Sequence, residues 1–353
     1  MGTSDLDRRF VLAGIGAAAL AFPFRRAFAA PGHERSALVV IYLNGGPPGL
    51  FNSAGSFLRS GAFGVGSRNV RDLGNGLLVD AASLGALPAT ALQHMASINF
   101  RHGYERHDLA REALLQTGCR SNLLLIGQGL DPAPIRCAVV NTLGLPDGVD
   151  RDPPREGGIG ISRIAELDAI GVVGTDAHVL AGVRTAYGVS ATANQIGDAA
   201  TSLCAAELLL RAGTGVVFTQ PMYAGRPDRQ IDTHGDTTGV EARRLFGTIA
   251  QPLHTFIDRA LALPDKNVVI ALVGEFSRTV GASDHEPGGT ATVIGKYVKT
   301  GTAAPQTETG APPPGSPPVA GLWSYLASAL AIADHPFGAN PNPELVVARP
   351  AAT

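Results

Sequence analysis

Cysteine is scarce. Cys119, Cys137 and Cys204 are the three in a chain of 353 residues. An odd number allows at most one internal disulfide, and their spacing fits no zinc motif, so neither a disulfide framework nor a cysteine-rich metal knot organises the fold. They read as small buried residues. Charge is also thin, at 16%, and it is balanced: 28 Lys+Arg stand against 30 Asp+Glu with no basic block. That excludes the electrostatic footprint of a nucleic-acid binder. No G-x-G-x-x-G follows the first strand, which argues against a dinucleotide-dependent oxidoreductase. There are no internal repeats. What remains, 45% hydrophobic over this length, is ample for one large core.

The amino terminus reads as an address rather than as fold. Arg8-Arg9 stand directly before the apolar run from Val11 to Phe24, which is short and rich in Ala and Gly for a membrane span, the alternative being an uncleaved anchor or an apolar helix of the fold. Ala27-Phe28-Ala29 then offers an A-x-A cleavage site. This is the pattern of a twin-arginine export signal covering residues 1–30, with a periplasmic or extracellular destination and no stable membrane span after cleavage. Its removal takes away four arginines and two aspartates and moves the formal charge from -2 to -4. A single domain is expected over 31–353, with irregular excursions at about 52–90 and 301–318. The second of these is a Pro-rich loop with no packing face of its own.

Val268 to Val273 is an uninterrupted apolar run, as in a strand buried on both faces of a parallel sheet. Glu275 and Arg278 follow at once, and Asp284-His285 lie a short loop later. A second β-branched run, Thr214 to Thr219, leads to Asp232-Thr-His234-Gly-Asp236. Two carboxylates and an imidazole at this spacing are metal-ligand types. Both clusters fall just past core strands, at the edge where open α/β sheets bind ligands. Ala37 to Leu43 is the first strand, and Asn44-Gly-Gly-Pro-Pro-Gly49 is its structural turn. Further strands are expected at 135–140 and 290–294. Helices are expected from Leu109 to a stop at Gly118, over 199–212, over 240–263 and over 323–333. Ahead of the first of these lie Arg101, His102, Arg106, His107 and Asp108, either a surface suited to an anion or a solvated polar cap. Strand, helix and strand across Thr214, Val240 and Val268 form a βαβ unit, so the fold class is α/β with a largely parallel sheet.

Together, the twin arginines, V-V-I-Y-L-N-G-G-P-P-G-L, D-T-H-G-D and V-V-I-A-L-V-G-E-F-S-R-T with its following D-H resemble the exported family called domain of unknown function 1501. That family is itself similar to the sulfatase and alkaline-phosphatase superfamily. The resemblance covers about residues 5 to 345. It implies a doubly wound sheet with a divalent metal ion at its carboxyl edge, held by Asp232, His234, Glu275, Asp284 and His285, with Asp236 behind them. His107 falls where the sulfatases carry their nucleophile, and Pro48 falls where the family has an aspartate, so the resemblance implies one ion rather than two. The implied function is metal-assisted hydrolysis of a small anionic ester, a phosphate or a sulfate, with His107 moving a proton or taking up the phosphoryl group. Arg278, or Arg101 and Arg106, would grip the anion. The alternative is a non-catalytic member of the fold, serving as a binding or assembly factor at the cell envelope.

Overall fold

The computed structural model describes residues 34–47, 49, 67–140, 158–169, 177–223, 230–279 and 284–349. The expected export signal, Pro48 and the first part of the 52–90 excursion lie outside these residues. In chain order the elements are β1 (Arg35–Tyr42), β2 (Val70–Asp72), β3 (Leu78–Asp80), α1 (Ala89–Leu92), β4 (Met95–Arg101), α2 (His107–Leu115), β5 (Gln116–Thr117), β6 (Arg120–Ser121) and α3 (Asn122–Gly129). There follow β7 (Cys137–Val140), β8 (Gly158–Ile161), α4 (Ile164–Ala169), α5 (Ala177–Ala186), α6 (Ala199–Arg211), β9 (Val216–Thr219) and α7 (Val240–Leu261). The last are β10 (Lys266–Val273), β11 (Gly288–Gly295), β12 (Gly301–Thr302) and α8 (Val319–Ala329).

Eight strands form one sheet in the order β12-β4-β11-β10-β1-β9-β7-β8. Only β11 runs against the others. The expected βαβ unit is present with its strands one apart: β9 and β10 flank β1, and α7 crosses between them. The sheet is wound on both faces, and the alternation of β1 shows why. Ala37, Val39 and Ile41 pack into a core with Leu203, Leu208, Leu245 and Phe256 from α6 and α7. Leu38, Val40 and Tyr42 pack into a second core with Leu114, Ile126, Trp323 and Leu326 from α2, α3 and α8. A strand covered on both sides reads as a continuous apolar run, as β1 and β10 do.

Helix α7 shows packing overriding propensity. It contains Gly247 and Pro252, which cost a helix interior about 1 and 3 kcal/mol. It also buries Leu245, Phe246, Ile249, Leu253, Phe256 and Ile257, each gaining about 1.5–3 kcal/mol over exposure. Burial wins by a wide margin. Helix α6 begins at Asp198, whose carboxylate accepts the Thr201 N–H at 2.7 Å in a capping box.

Four expectations change. Residues 67–92 are not irregular: β2 and β3 pair, and Leu77, Leu78, Val79, Leu84 and Leu87 enter the first core. Gly118 does not stop α2, which ends at Leu115. It instead makes the β5–β6 turn with φ +61°, while the Leu114 carbonyl accepts from Trp323 Nε1 and Asn122 Nδ2. The 301–318 loop is anchored by buried Gln306 and Ala311. Cys137 and Cys204 are buried in opposite cores, which prevents their pairing, but Cys119 is exposed. Burial pushes both buried thiols up to about 12. Among the described residues, no helix is long and apolar enough to cross a membrane.

Candidate metal centre

Because β11 is antiparallel, its amino end lies on the same rim as the carboxyl ends of β1, β4, β9 and β10. Four connections therefore converge there. Gly45 and Gly46 follow β1, His102 and His107 follow β4, Asp232 and His234 follow β9, Glu275 and Arg278 follow β10, and His285 precedes β11.

The loop after β1 fits only without side chains. Gly45 and Gly46 have φ of +103° and +75°. A Cβ on Gly46 would sit 2.3 Å from the Phe276 ring, and one on Gly45 would sit 2.7 Å from the Asp232 nitrogen. Gly46→Ala is therefore expected to cost about 1–2 kcal/mol for the left-handed backbone and about 1–3 kcal/mol more for overpacking. Gly103→Ala shares the positive φ but meets nothing within 4 Å, so it should show only the backbone cost. Equal losses for the two in urea unfolding would refute the clash.

Glu275 is fully buried and saturated. Its Oε2 accepts from the Tyr42 hydroxyl at 2.7 Å, and its Oε1 accepts from the Gly45 N–H at 2.9 Å and His107 Nδ1 at 2.7 Å. Burial alone would raise this carboxyl, but the bonds from His107, the backbone and Tyr42 outweigh it and hold the group below the usual carboxylate range. An ionised Glu275 accepts a hydrogen bond from Nδ1–H of His107, so Nε2 is the ring nitrogen with the lone pair. Burial and the neighbouring Glu275 push Tyr42 well above a normal phenol. The Tyr42 hydroxyl in turn accepts from Arg111 Nε at 3.2 Å.

The same logic fixes two other rings. His285 Nδ1 is hydrogen-bonded to the Glu105 carbonyl, so Nδ1 is the donor and Nε2 carries the lone pair in the neutral ring. That Nε2 lies 3.1 Å from His234 Nε2. Burial, with the positive charge of Arg278 adding to it, lowers His285 below the ordinary imidazole range and favours the neutral ligand form. His102 is different. Its Nδ1 accepts the Tyr104 N–H at 3.0 Å, so Nε2 donates to the Glu275 carbonyl at 2.6 Å and the ring serves the backbone.

One ring nitrogen from each of His107, His234 and His285 lies within 4.8 Å of the others. The 3.1 Å pair matches the ligand edge of about 3.3 Å that follows from Zn–N bonds of 2.0–2.1 Å in a tetrahedron. Two of the three rings have Nδ1 directed to a carboxylate or carbonyl, the arrangement that orients metal-ligating histidines. The cluster can hold a metal ion. Phe276 supports it by stacking on His285 at 4.1 Å and lying 4.8 Å from His107.

The expected ligands are thus partly redistributed. His234 and His285 are in the cluster, and His107, expected to do catalysis, joins them. Glu275 stands behind His107. Asp284 is exposed, and its backbone is tied to Thr279. Asp232 lies beside the cluster, with Oδ2 3.8 Å from His107 Nε2, but its Oδ1 is 2.7 Å from Arg278 Nη2. Asp236 caps α7 through the Ala242 N–H. Arg278 is completely buried and donates to the Gly45 and Gly46 carbonyls, so an anion would have to displace these partners. Arg106 pairs with Asp108, and Arg101 donates to the Pro312 carbonyl. Sequence reasoning missed Tyr42 and Phe276 as parts of the site. Phe276 sits within G-E-F-S-R-T and was open to notice, whereas Tyr42 reads as one more apolar strand residue.

No protein-family model matches the chain, and no curated protein does. Solved structures similar to it include the lipoteichoic acid synthase LtaP from Listeria monocytogenes. That match has 11% identity and a TM-score of 0.41, and covers 94% of this chain and 81% of the other. A protein in the alkaline phosphatase superfamily from Vibrio parahaemolyticus also matches, with 11% identity and a TM-score of 0.42, covering 88% and 70%.

Proposed function

We propose that this is an exported, metal-dependent hydrolase of small phosphate or sulfate esters that works at the histidine cluster. The observation that carries the reading is the convergence of His107, His234 and His285 on one rim of the sheet, with two rings held so that Nε2 is presented. A divalent cation bound there would supply Lewis-acid polarisation of the ester. His107 is the first residue of α2, so the positive end of that helix lies beside the cluster, although the Asp108 carboxylate in its first turn already accepts from the Leu109 N–H. Hydrolysis breaks the bond from phosphorus or sulfur to the alcohol oxygen and forms one to the oxygen of water, and a proton passes from the water to the departing alkoxide. The twin-arginine pattern supports export, and the family resemblance supports the ester class.

The test is turnover of aryl phosphates and aryl sulfates by the mature chain, with His234→Ala and His285→Ala alongside. Activity that needs a divalent ion and falls at least about 100-fold in both variants supports the proposal. A protein that binds metal but turns over neither ester class is instead the binding or assembly factor. The fully bonded Glu275 and the pairing of buried Arg278 with partly exposed Asp232, which tie strand ends together, favour that second reading.

A further inference from the structure

The two carboxylates nearest the histidine cluster are already engaged. Glu275 uses both oxygens on Tyr42, Gly45 and His107. Asp232 is 2.7 Å from the Arg278 guanidinium. Arg278 Nη2 also donates to the Gly45 carbonyl at 2.6 Å, and Nε donates to the Gly45 and Gly46 carbonyls at 3.1 and 3.0 Å. Two carbonyls and a carboxylate thus converge on one fully buried cation. Such oxygens are the ligands that calcium and magnesium collect. Here they hold a guanidinium, which stays charged at any accessible pH even though burial lowers it. A hard dication entering this bowl would have to displace that charge or sit against it.

The nitrogens are a different donor set. Three imidazoles suit zinc and its first-row neighbours, whereas magnesium and calcium require oxygen. Resting on the metal-centre reading above, we propose that the site takes one borderline divalent cation of the zinc class through His107, His234 and His285. In this proposal Arg278 supplies the second positive charge from within the chain. Asp232 then serves as the partner of Arg278, not as a ligand. The site is mononuclear because its other cation is covalently part of the protein.

The test is isothermal titration of the chelator-stripped mature chain with Zn²⁺, Mg²⁺ and Ca²⁺. Absorption of the Co²⁺ form serves as an independent report of nitrogen ligation. The expected result is one equivalent of Zn²⁺ bound at least about 100-fold more tightly than Mg²⁺ or Ca²⁺. His234→Ala, at a half-exposed position where folding is not at stake, should lose that binding. Asp232→Asn should keep one equivalent with affinity within about tenfold, as expected for a partner outside the ligand set. Two equivalents, a preference for Ca²⁺ or Mg²⁺, or loss in Asp232→Asn equal to that in His234→Ala would overturn the inference while leaving a metal enzyme standing. No binding of any ion would overturn the metal-centre reading as well.

Discussion

Arg259→Leu is expected to destabilise the fold by about 3 kcal/mol, more than Glu207→Gln, although the two residues form one ion pair. Glu207 on α6 is fully buried. It accepts two bonds from Arg259 at 2.8 Å, one from Arg211 at 2.8 Å and one from the Tyr187 hydroxyl at 2.8 Å. The arginine side chains are about a third exposed, at 32% and 27%. Losing Arg259 leaves a buried carboxylate with half its compensation. Neutralising Glu207 leaves two guanidiniums that can turn to water, at about 1–2 kcal/mol. Urea unfolding of both variants tests the order, and a larger loss in Glu207→Gln would overturn it. The network also sets an acid limit. Burial would raise Glu207, but its arginine and tyrosine bonds outweigh that and lower it. Below the unfolded value of about 4.3, the unfolded chain takes up this proton before the native one does. Stability therefore rises with pH there, is complete above that value, and is lost as pH falls through the lowered native value. Glu207→Gln should flatten this part of the curve.

Glu275→Gln is expected to weaken metal binding about 10–100-fold while preserving the fold, the usual cost of altering a group that orients a histidine ligand. Glutamine fills the same space. Its amide oxygen can still accept from His107 Nδ1 and the Gly45 N–H, and its amide nitrogen can donate to the Tyr42 hydroxyl, which then loses the acceptor for its own proton at about 1–3 kcal/mol. What is lost is the negative charge behind His107, which makes Nε2 a stronger donor. Titration of the stripped variant, with circular dichroism as a control, measures the effect. Affinity unchanged within about twofold would show that Glu275 only packs.

The framework was legible because it rests on period and burial. The runs in β1, β9 and β10 and the apolar stripe of α7 announced strands covered on both faces and a crossover helix. The position of the site was legible for the same reason, since polar clusters follow those strands. The division of labour within it was not. Asp232, Glu275 and Asp284 look alike as carboxylates in a chain, and only the fold shows that one meets Arg278, one backs His107 and one faces water. The capping box at Asp198 was readable as D-x-x-T and passed unnoticed. The β2–β3 hairpin was hidden by short strands in a Gly-rich stretch, whose pairing pays off only against the body of the domain.

The rim where four connections meet has a consequence for the chain as a whole. His234 and His285 are 51 residues apart, and His107 comes from a third segment, so an ion joining them would fasten distant stretches as a cross-link does. The unfolded chain has no such arrangement to offer. Resistance to unfolding should therefore rise with free ion concentration, by about 1.4 kcal/mol for each tenfold excess over the dissociation constant. In surroundings poor in metal, the protein would be held by its two cores alone.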